Sequence, residues 1–289
     1  MWIVLMLAGL TIVIAGFYVI RDTVSPSHDR EWVEHHTKLP SVSIDGRGVA
    51  TTHNVRHARY RSEFDLDLSY TDEQYDTRAI KDVWMLVSHW GALEAHCILS
   101  FEFADGRYLA ASVEVRKEAR RAKSFATTEA LYRNFEIFYI LADEQDLVSL
   151  RTHIWKNDMH VYRLKLTPEM KRATLLAVAE STNTYAGTPQ WYRLMRRNCG
   201  SEPMRNLYKA GAPVPQWDWR YVAVGRIDRL LYNRHLIDCD PSLSYDDVYR
   251  GSLVPDETAT YALDDTFSQK IRSGGLGEKS EQRDIDSHC

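Results

Sequence analysis

The chain has 289 residues, 44% of them hydrophobic, 26% charged and 11% aromatic, which supplies a sizeable core and excludes disorder over the whole length. A net charge of −4 lacks the basic footprint of a nucleic-acid binder, so no nucleic-acid partner is expected. The cysteines at 97, 199, 239 and 289 contain no CxxC pair, which argues against a disulfide scaffold and against a structural zinc site.

Residues Trp2 to Ile20 read WIVLMLAGLTIVIAGFYVI without a charge, and as a helix they would span roughly 28 Å, close to a bilayer's hydrocarbon thickness. A cleaved signal peptide is the alternative. No Lys or Arg precedes the run and no A-x-A-like site follows it, so residues 1–20 are read as an uncleaved transmembrane anchor. Arg21 and Asp22 nearly cancel, leaving the orientation open. Residues 21–39 are polar and include His28, His35 and His36; they read as a solvated juxtamembrane linker rather than a metal site. A single domain is expected over 40–272, with a disordered tail over 273–289.

Within that domain, 42–61 alternates around Gly46 and Gly48 and predicts a hairpin or two edge strands. The stretch 70–81 reads as a loop and 83–89 as a buried strand. HCILSFEF (96–103) and YLAASVEVRKE (108–118) flank Ala-Asp-Gly-Arg, a hairpin signal. Odd positions on both strands are mostly apolar, and even positions carry His96, Ser100, Glu102, Ser112, Glu114 and Arg116. A register that keeps both apolar sets on one face, with a bulged three-residue loop, sets His96 opposite Glu114. The basic run 116–123 reads as a solvated strand end, with contact to anionic lipid as the functional alternative. Strands are expected at 135–141 and 159–166. A helix with Pro168 at its first position should run to about 185, a second should start after Arg197, and a third should cover 227–236. The fold class is therefore α+β, an antiparallel sheet with helices packed on one side.

No phosphate loop, HExxH helix or G-x-S-x-G elbow is present, so no cofactor and no metal are expected. The chemistry-bearing candidate is Cys199 in RRNCGSEP. A thiol at a helix start, capped by Asn198 or Ser201 and next to Arg196 and Arg197, is biased toward its nucleophilic thiolate. A lone buried cysteine that merely packs is the competing reading. Of eleven histidines, His96 has small polar neighbours and a carboxylate opposite; His89, His153 and His160 are its rivals. Strand His, strand Glu, then helix Cys is a permuted papain-like (NlpC/P60-like) order, and only spatial geometry decides such a site.

Several segments together resemble the family of the lipoprotein intramolecular transacylase Lnb, in its N-terminal extracytoplasmic (periplasmic) domain. They are HNVRHARYRSEFD (53–65), YDTRAIKDV (75–83), SHWGALEAHCILSFEF (88–103), SVEVRKE (112–118), FEIFYILADEQDLVSLRT (135–152), PQWYRLMRRNC (189–199) and RIDRLLYNRHLID (226–238). The resemblance implies a thiol enzyme with its histidine at His96 and its cysteine at Cys199. It also implies a membrane-tethered domain outside the cytoplasm, and a membrane lipid or lipidated protein as substrate. The family's activity moves an acyl chain from the diacylglyceryl group of a lipoprotein cysteine to that residue's own α-amino group. The sequence departs from the pattern in three places: Gly200-Ser201 follows the cysteine in place of two threonines, Pro203 comes early, and Glu102 replaces a glycine. Cys199 is thus expected to be the nucleophile, His96 the acid–base and Glu114 (or Glu102) its orienter. Backbone N–H groups among Asn198, Gly200 and Ser201 are expected to cap the helix or hold an oxyanion. Two other expectations compete: a papain-like cysteine amidase or peptidase of the cell envelope, and a non-catalytic anchored binding domain using Tyr60, Tyr70 and Tyr75.

Overall fold

Alternation over 96–116 builds the centre of the fold. In the computed structural model, β5 (Ala95–Phe103) and β6 (Tyr108–Arg116) form the expected hairpin, pairing Ile98 with Ser112 and Phe101 with Leu109. Gly106, at φ 85°, supplies the left-handed residue that a three-residue loop with a bulge needs. The structure describes residue 9 and residues 25–121, 135–254 and 266–273. The anchor reading therefore lies almost wholly outside the described residues, as does the tail beyond Ser273. Among the described residues no helix is long and apolar enough to cross a membrane.

The remaining strands are β1 (Ser41–Ile44), β2 (Val49–Tyr60), β3 (Leu66–Asp76), β4 (Ile80–His89), β7 (Glu136–Ala142) and β8 (Asp158–Arg163). They make one sheet in the order β1-β2-β7-β6-β5-β4-β8, with β3 along the other side of β2. All pairings are antiparallel except β2 with β7, a parallel bridge at Arg56 and Ala142. The loop expected over 70–81 is instead most of β3 and the start of β4. As an edge strand half open to solvent, β3 lacks the apolar content that marks a buried strand.

Beside the strands, the described residues from 25 on form the α-helices α1 (Glu144–Ser149), α2 (Pro168–Gly187), α3 (Ser201–Lys209), α4 (Ile227–Asn233), α5 (Tyr245–Gly251) and α6 (Phe267–Lys270). Thr167 caps α2 by accepting from the Met170 N–H, with Pro168 just inside, as the sequence predicts. Helices α2 to α5 cover one face of the sheet, against Cys97, Leu99 and Phe101. The opposite face is covered too: Leu147 and Val148 of α1 and Phe267 and Ile271 at α6 pack on Ile98, Phe138 and Ile140. Helices therefore flank both faces, not one. The even positions of β5 look polar in sequence because their cover is partly ionic: Ser100 Oγ donates to Glu144 at 2.5 Å, and Glu144 pairs with Arg272.

The stretch read as a solvated linker is partly packed against the domain, with exposed residues such as Glu31 and Lys38 between its anchoring contacts. Val33 and His36 are buried, His36 sits edge-on to Phe138 at 4.9 Å, and the Arg116 guanidinium donates to the His36 carbonyl at 2.9 Å. Glu136 and Glu118 hold Arg30 at 3.3 and 2.7 Å. The basic run from Arg116 is accordingly internal at its start, since Arg116 is buried; its end, from 122, lies outside the described residues.

Candidate active site

The site forms where β5 starts and β6 ends. Gln190 and Tyr192 extend the sheet beside β7, with Tyr192 N–H donating to the Phe135 carbonyl at 2.9 Å and Ile137 N–H to Gln190 at 2.9 Å. A tight turn over 193–197, closed by mutual Arg193–Arg197 backbone bonds, then folds the chain back. Cys199 is thereby returned to Tyr192, seven residues earlier, just before α3 begins. Asn198 Oδ1 accepts from both Gly200 and Ser201 N–H at 2.7 Å, which caps the helix start as expected.

That cap has a chemical consequence. The N–H groups of Gly200 and Ser201, expected as oxyanion donors, are already taken by Asn198. Cys199 N–H instead meets the Tyr192 hydroxyl at 3.4 Å, and the same hydroxyl donates toward Cys199 Sγ at 3.8 Å. Ser201 Oγ turns inward as well, accepting from Asn198 N–H at 3.0 Å and donating to the Arg196 carbonyl at 3.1 Å. Gly200 is required by packing: an added Cβ would lie 2.9 Å from the Tyr221 carbonyl oxygen, from Ile227 Cδ1 and from Val224 Cγ2.

Cys199 and His96 are close enough for each to shift the other's titration, and both are almost wholly buried. His96 Nε2 lies 2.7 Å from Ser112 Oγ and 3.2 Å from Glu114 Oε1, and Ser112 Oγ donates to the same carboxylate oxygen at 2.7 Å. Arg151, buried, closes the arrangement at 2.6 Å from Glu114 Oε1, while its other guanidinium nitrogen donates to the Leu147 carbonyl. A cavity of about 70 Å³ lies behind Glu114, lined by Arg56, Tyr60, Arg151 and Trp155 among others.

The electrostatics follow from this packing. Burial is the largest single influence and works against the charged imidazole, but the Glu114 carboxylate and Cys199 together outweigh it and hold His96 at about 9. Burial likewise raises the Cys199 thiol, yet the charge and hydrogen bond of His96 and the Tyr192 hydroxyl bring it below the ordinary thiol value. Glu114 pays its own desolvation and is still held well below the carboxylate range by His96 and Arg151. Both shifts move the pair toward thiolate and imidazolium.

The other candidates sit elsewhere. Glu102, six residues along β5 from His96, accepts from Trp84 Nε1 at 2.9 Å and pairs with Lys81 at 2.8 Å. It neither crowds the site nor orients the histidine. His89 faces Asp228 at 3.4 Å and His160 faces the Tyr249 carbonyl at 3.0 Å, while His153 lies against Thr152. Cys97 is fully buried, with its thiol pushed up by desolvation. Among the described residues no group of His, Cys, Asp and Glu is disposed to hold a metal. Sequence reasoning missed Tyr192, Ser112 and Arg151. Tyr192 lies within the PQWYRLMRRNC segment and Arg151 near the end of FEIFYILADEQDLVSLRT, but neither carries a local signal that points at Cys199 or Glu114.

The family model for the Lnb N-terminal periplasmic domain matches residues 67–225, a span that runs from β3 past the capped start of α3. The chain belongs to the Lnb N-terminal periplasmic domain family. Neither a curated protein nor a solved structure matches it. Membership supports an extracytoplasmic domain in a lipoprotein-processing setting, and the matched span contains His96, Glu114, Tyr192 and Cys199.

Proposed function

We propose that this protein is a membrane-anchored, cysteine-dependent acyltransferase or acyl hydrolase acting on lipid-modified protein through a Cys199 thioester, on a permuted papain-like arrangement. The observation that carries the proposal is the buried chain Cys199–His96–Ser112/Glu114–Arg151 at the start of α3. A structural cysteine has no need of a partnered, protonated histidine, whereas a nucleophile does.

The thiolate of Cys199 adds to the ester carbonyl carbon of a bound acyl donor, forming the C–S bond. The carbonyl oxygen takes the negative charge, with the Tyr192 hydroxyl, released from Sγ as the C–S bond forms, as its donor. As the C–O bond breaks, the His96 imidazolium gives its proton to the departing alkoxide, leaving a thioester and a neutral imidazole. An amine or a water then attacks the thioester. Neutral His96 takes the proton of that nucleophile, and Sγ leaves as thiolate, which restores the starting pair. Glu114 is a positioning residue: it holds the ring in the orientation and charge state that both half-reactions use, and Arg151 holds Glu114. The helix dipole of α3 adds to thiolate stabilisation at its N-terminus.

The reading is tested on the full chain in lipid vesicles with a synthetic diacylglyceryl-cysteine peptide, following loss of the O-acyl chain by mass spectrometry. Wild type is expected to deacylate or N-acylate the peptide, and Cys199→Ala and His96→Gln to lose that activity. Undiminished turnover by folded Cys199→Ala removes the mechanism.

A further inference from the structure

Isolated exposed apolar side chains are ordinary on a protein surface. Here several of the largest collect on three loops that are tied to the residue after Cys199. Trp90 and Leu93 lie in the β4–β5 loop at 53% and 49% exposure, Met195 in the turn before Asn198 at 57%, and Trp217 and Trp219 ahead of α4 at 63% and 55%. The loops are held together by backbone contacts. Gly225 N–H donates to the Leu93 carbonyl at 2.9 Å, and a Cβ on Gly225 would come within 2.9 Å of the Leu93 carbonyl carbon. The Tyr221 carbonyl in turn closes on Gly200. Exposed apolar side chains, three of them tryptophans, thus lie on loops joined through Gly225 and Gly200 to the segment that carries the buried thiol.

Two further observations say what covers these side chains. The first is charge: the 193–197 turn carries Arg193, Arg196 and Arg197 and no carboxylate, and Arg196 is exposed beside Met195. Arginine with tryptophan is the composition of surfaces that sit in anionic headgroups. The second is where the N-terminal chain arrives. Ser27 N–H donates to Glu136 Oε1 at 2.6 Å, at the first residue of β7, and Arg30 stacks over Trp191 at 5.4 Å, next to Tyr192. Five Cα steps separate Ile20, the last residue of the apolar run, from Ser25, a reach of at most about 18 Å. The site-bearing end of the sheet is therefore the end tethered to that run.

We propose that the Trp90, Leu93, Met195, Trp217 and Trp219 rim is a membrane-docking surface that seats the mouth of Cys199 on the headgroup layer of an anionic bilayer. Its purpose rests on the acyl-transfer reading, but its geometry does not. Docking brings an ester near the glycerol level of the bilayer to the thiol without lifting the lipid chains into water, and it requires no acyl-sized cavity within the domain.

The test uses the full chain in nanodiscs of phosphatidylcholine and phosphatidylglycerol, with and without brominated acyl chains, which quench tryptophan on contact. Wild type is expected to show bromolipid-quenched emission that falls about twofold in the Trp90→Phe/Trp217→Phe/Trp219→Phe variant, the remainder coming from Trp2 and the 41%-exposed Trp155. In wild type, amide exchange over 90–94 and 217–226 should slow in the bilayer while the distal turns at 45–48 and 104–106 stay unchanged. Equal quenching in wild type and variant, or rim exchange that is the same in the bilayer and in dispersed chain, overturns the proposal. Such a result would leave the rim to a second copy of the chain or to another protein segment. Cys199→Ala is expected to dock as wild type does, so failure of docking and failure of acyl transfer are read separately.

Discussion

Replacing Glu114 by glutamine removes one charge and little volume, and the consequence can be sized. Glu114 Oε1 lies 3.2 Å from His96 Nε2; at an effective dielectric of about 20 two unit charges at that distance attract by about 5 kcal/mol. Part of that attraction is spent on desolvation. His96 is nonetheless held at about 9, and its excess over an ordinary histidine corresponds to about 3 kcal/mol favouring imidazolium. In Glu114→Gln, burial and the 2.6 Å neighbour Arg151, now unpaired, both disfavour the charged ring. His96 should therefore fall below its ordinary value, and Cys199, deprived of its cationic partner, should return to the thiol form at neutral pH. With an ordinary thiol value of about 8.5 only about 3% is ionised at pH 7, so alkylation of Cys199 at pH 7 should slow by about 10-fold or more. The assay is iodoacetamide labelling read at the Cys199 peptide by mass spectrometry, from pH 5 to 10. Wild type should reach its plateau at lower pH than an ordinary thiol, and Glu114→Gln should still be rising above pH 8. Glu114→Asp, which keeps the charge, should restore part of the wild-type profile, and thermal unfolding checks that both variants fold. An unchanged rate and pH profile in folded Glu114→Gln would refute the argument that this carboxylate sets the ion pair.

Other outcomes follow from neighbouring contacts. Tyr192→Phe keeps the buried ring and removes only the hydroxyl at Cys199, so kcat should drop by about 10- to 100-fold with stability nearly unchanged; kcat and KM on the lipopeptide, with a thermal melt, decide it. Gly200→Ala places a methyl 2.9 Å from an immobile backbone carbonyl and should cost about 1–3 kcal/mol, measured by urea unfolding, with alkylation of Cys199 altered in parallel. His160 is held down at about 4 by burial and by His89. Its contribution to stability is therefore full above about pH 6.5 and lost as pH falls toward 4. His160→Gln should flatten that acid limb by up to about 1.4 kcal/mol per pH unit, read from unfolding free energies across the window.

The parts of the fold legible in the sequence were those in which one physical signal dominates. The β5–β6 hairpin combined strict alternation with a glycine turn, so strand limits, the apolar face and the closeness of His96 to Glu114 all followed from one register. Thr167 and Pro168 marked the start of α2 in the same way. Where two signals competed, the reading failed. β3 is an edge strand with polar residues on both sides and resembles a loop in composition. The even face of β5 carries Ser100 and Glu102 and resembles a solvated surface, yet α1, α6 and the segment before β1 bury that face of the sheet through ion pairs and not through apolar contact alone. Cys199 and His96 could be picked out as candidates because each residue type carries its chemistry with it. Arg151 and Tyr192 were not, because their roles arise only when a turn and a strand end deliver them to Glu114 and Cys199. The same holds for the oxyanion donors: Asn198 was recognised as a cap, but its occupation of two N–H groups is a property of the folded turn.

The central claim is that Cys199 carries an acyl group between donor and acceptor. The most direct measurement is intact-mass spectrometry of the full chain after incubation in vesicles with a diacylglyceryl-cysteine peptide whose α-amine is blocked, so that the thioester lacks its amine acceptor. The account predicts one added acyl chain, mapped to Cys199, released by hydroxylamine and absent in Cys199→Ala. An unmodified Cys199, in a protein that still removes the acyl chain from the peptide, would contradict it.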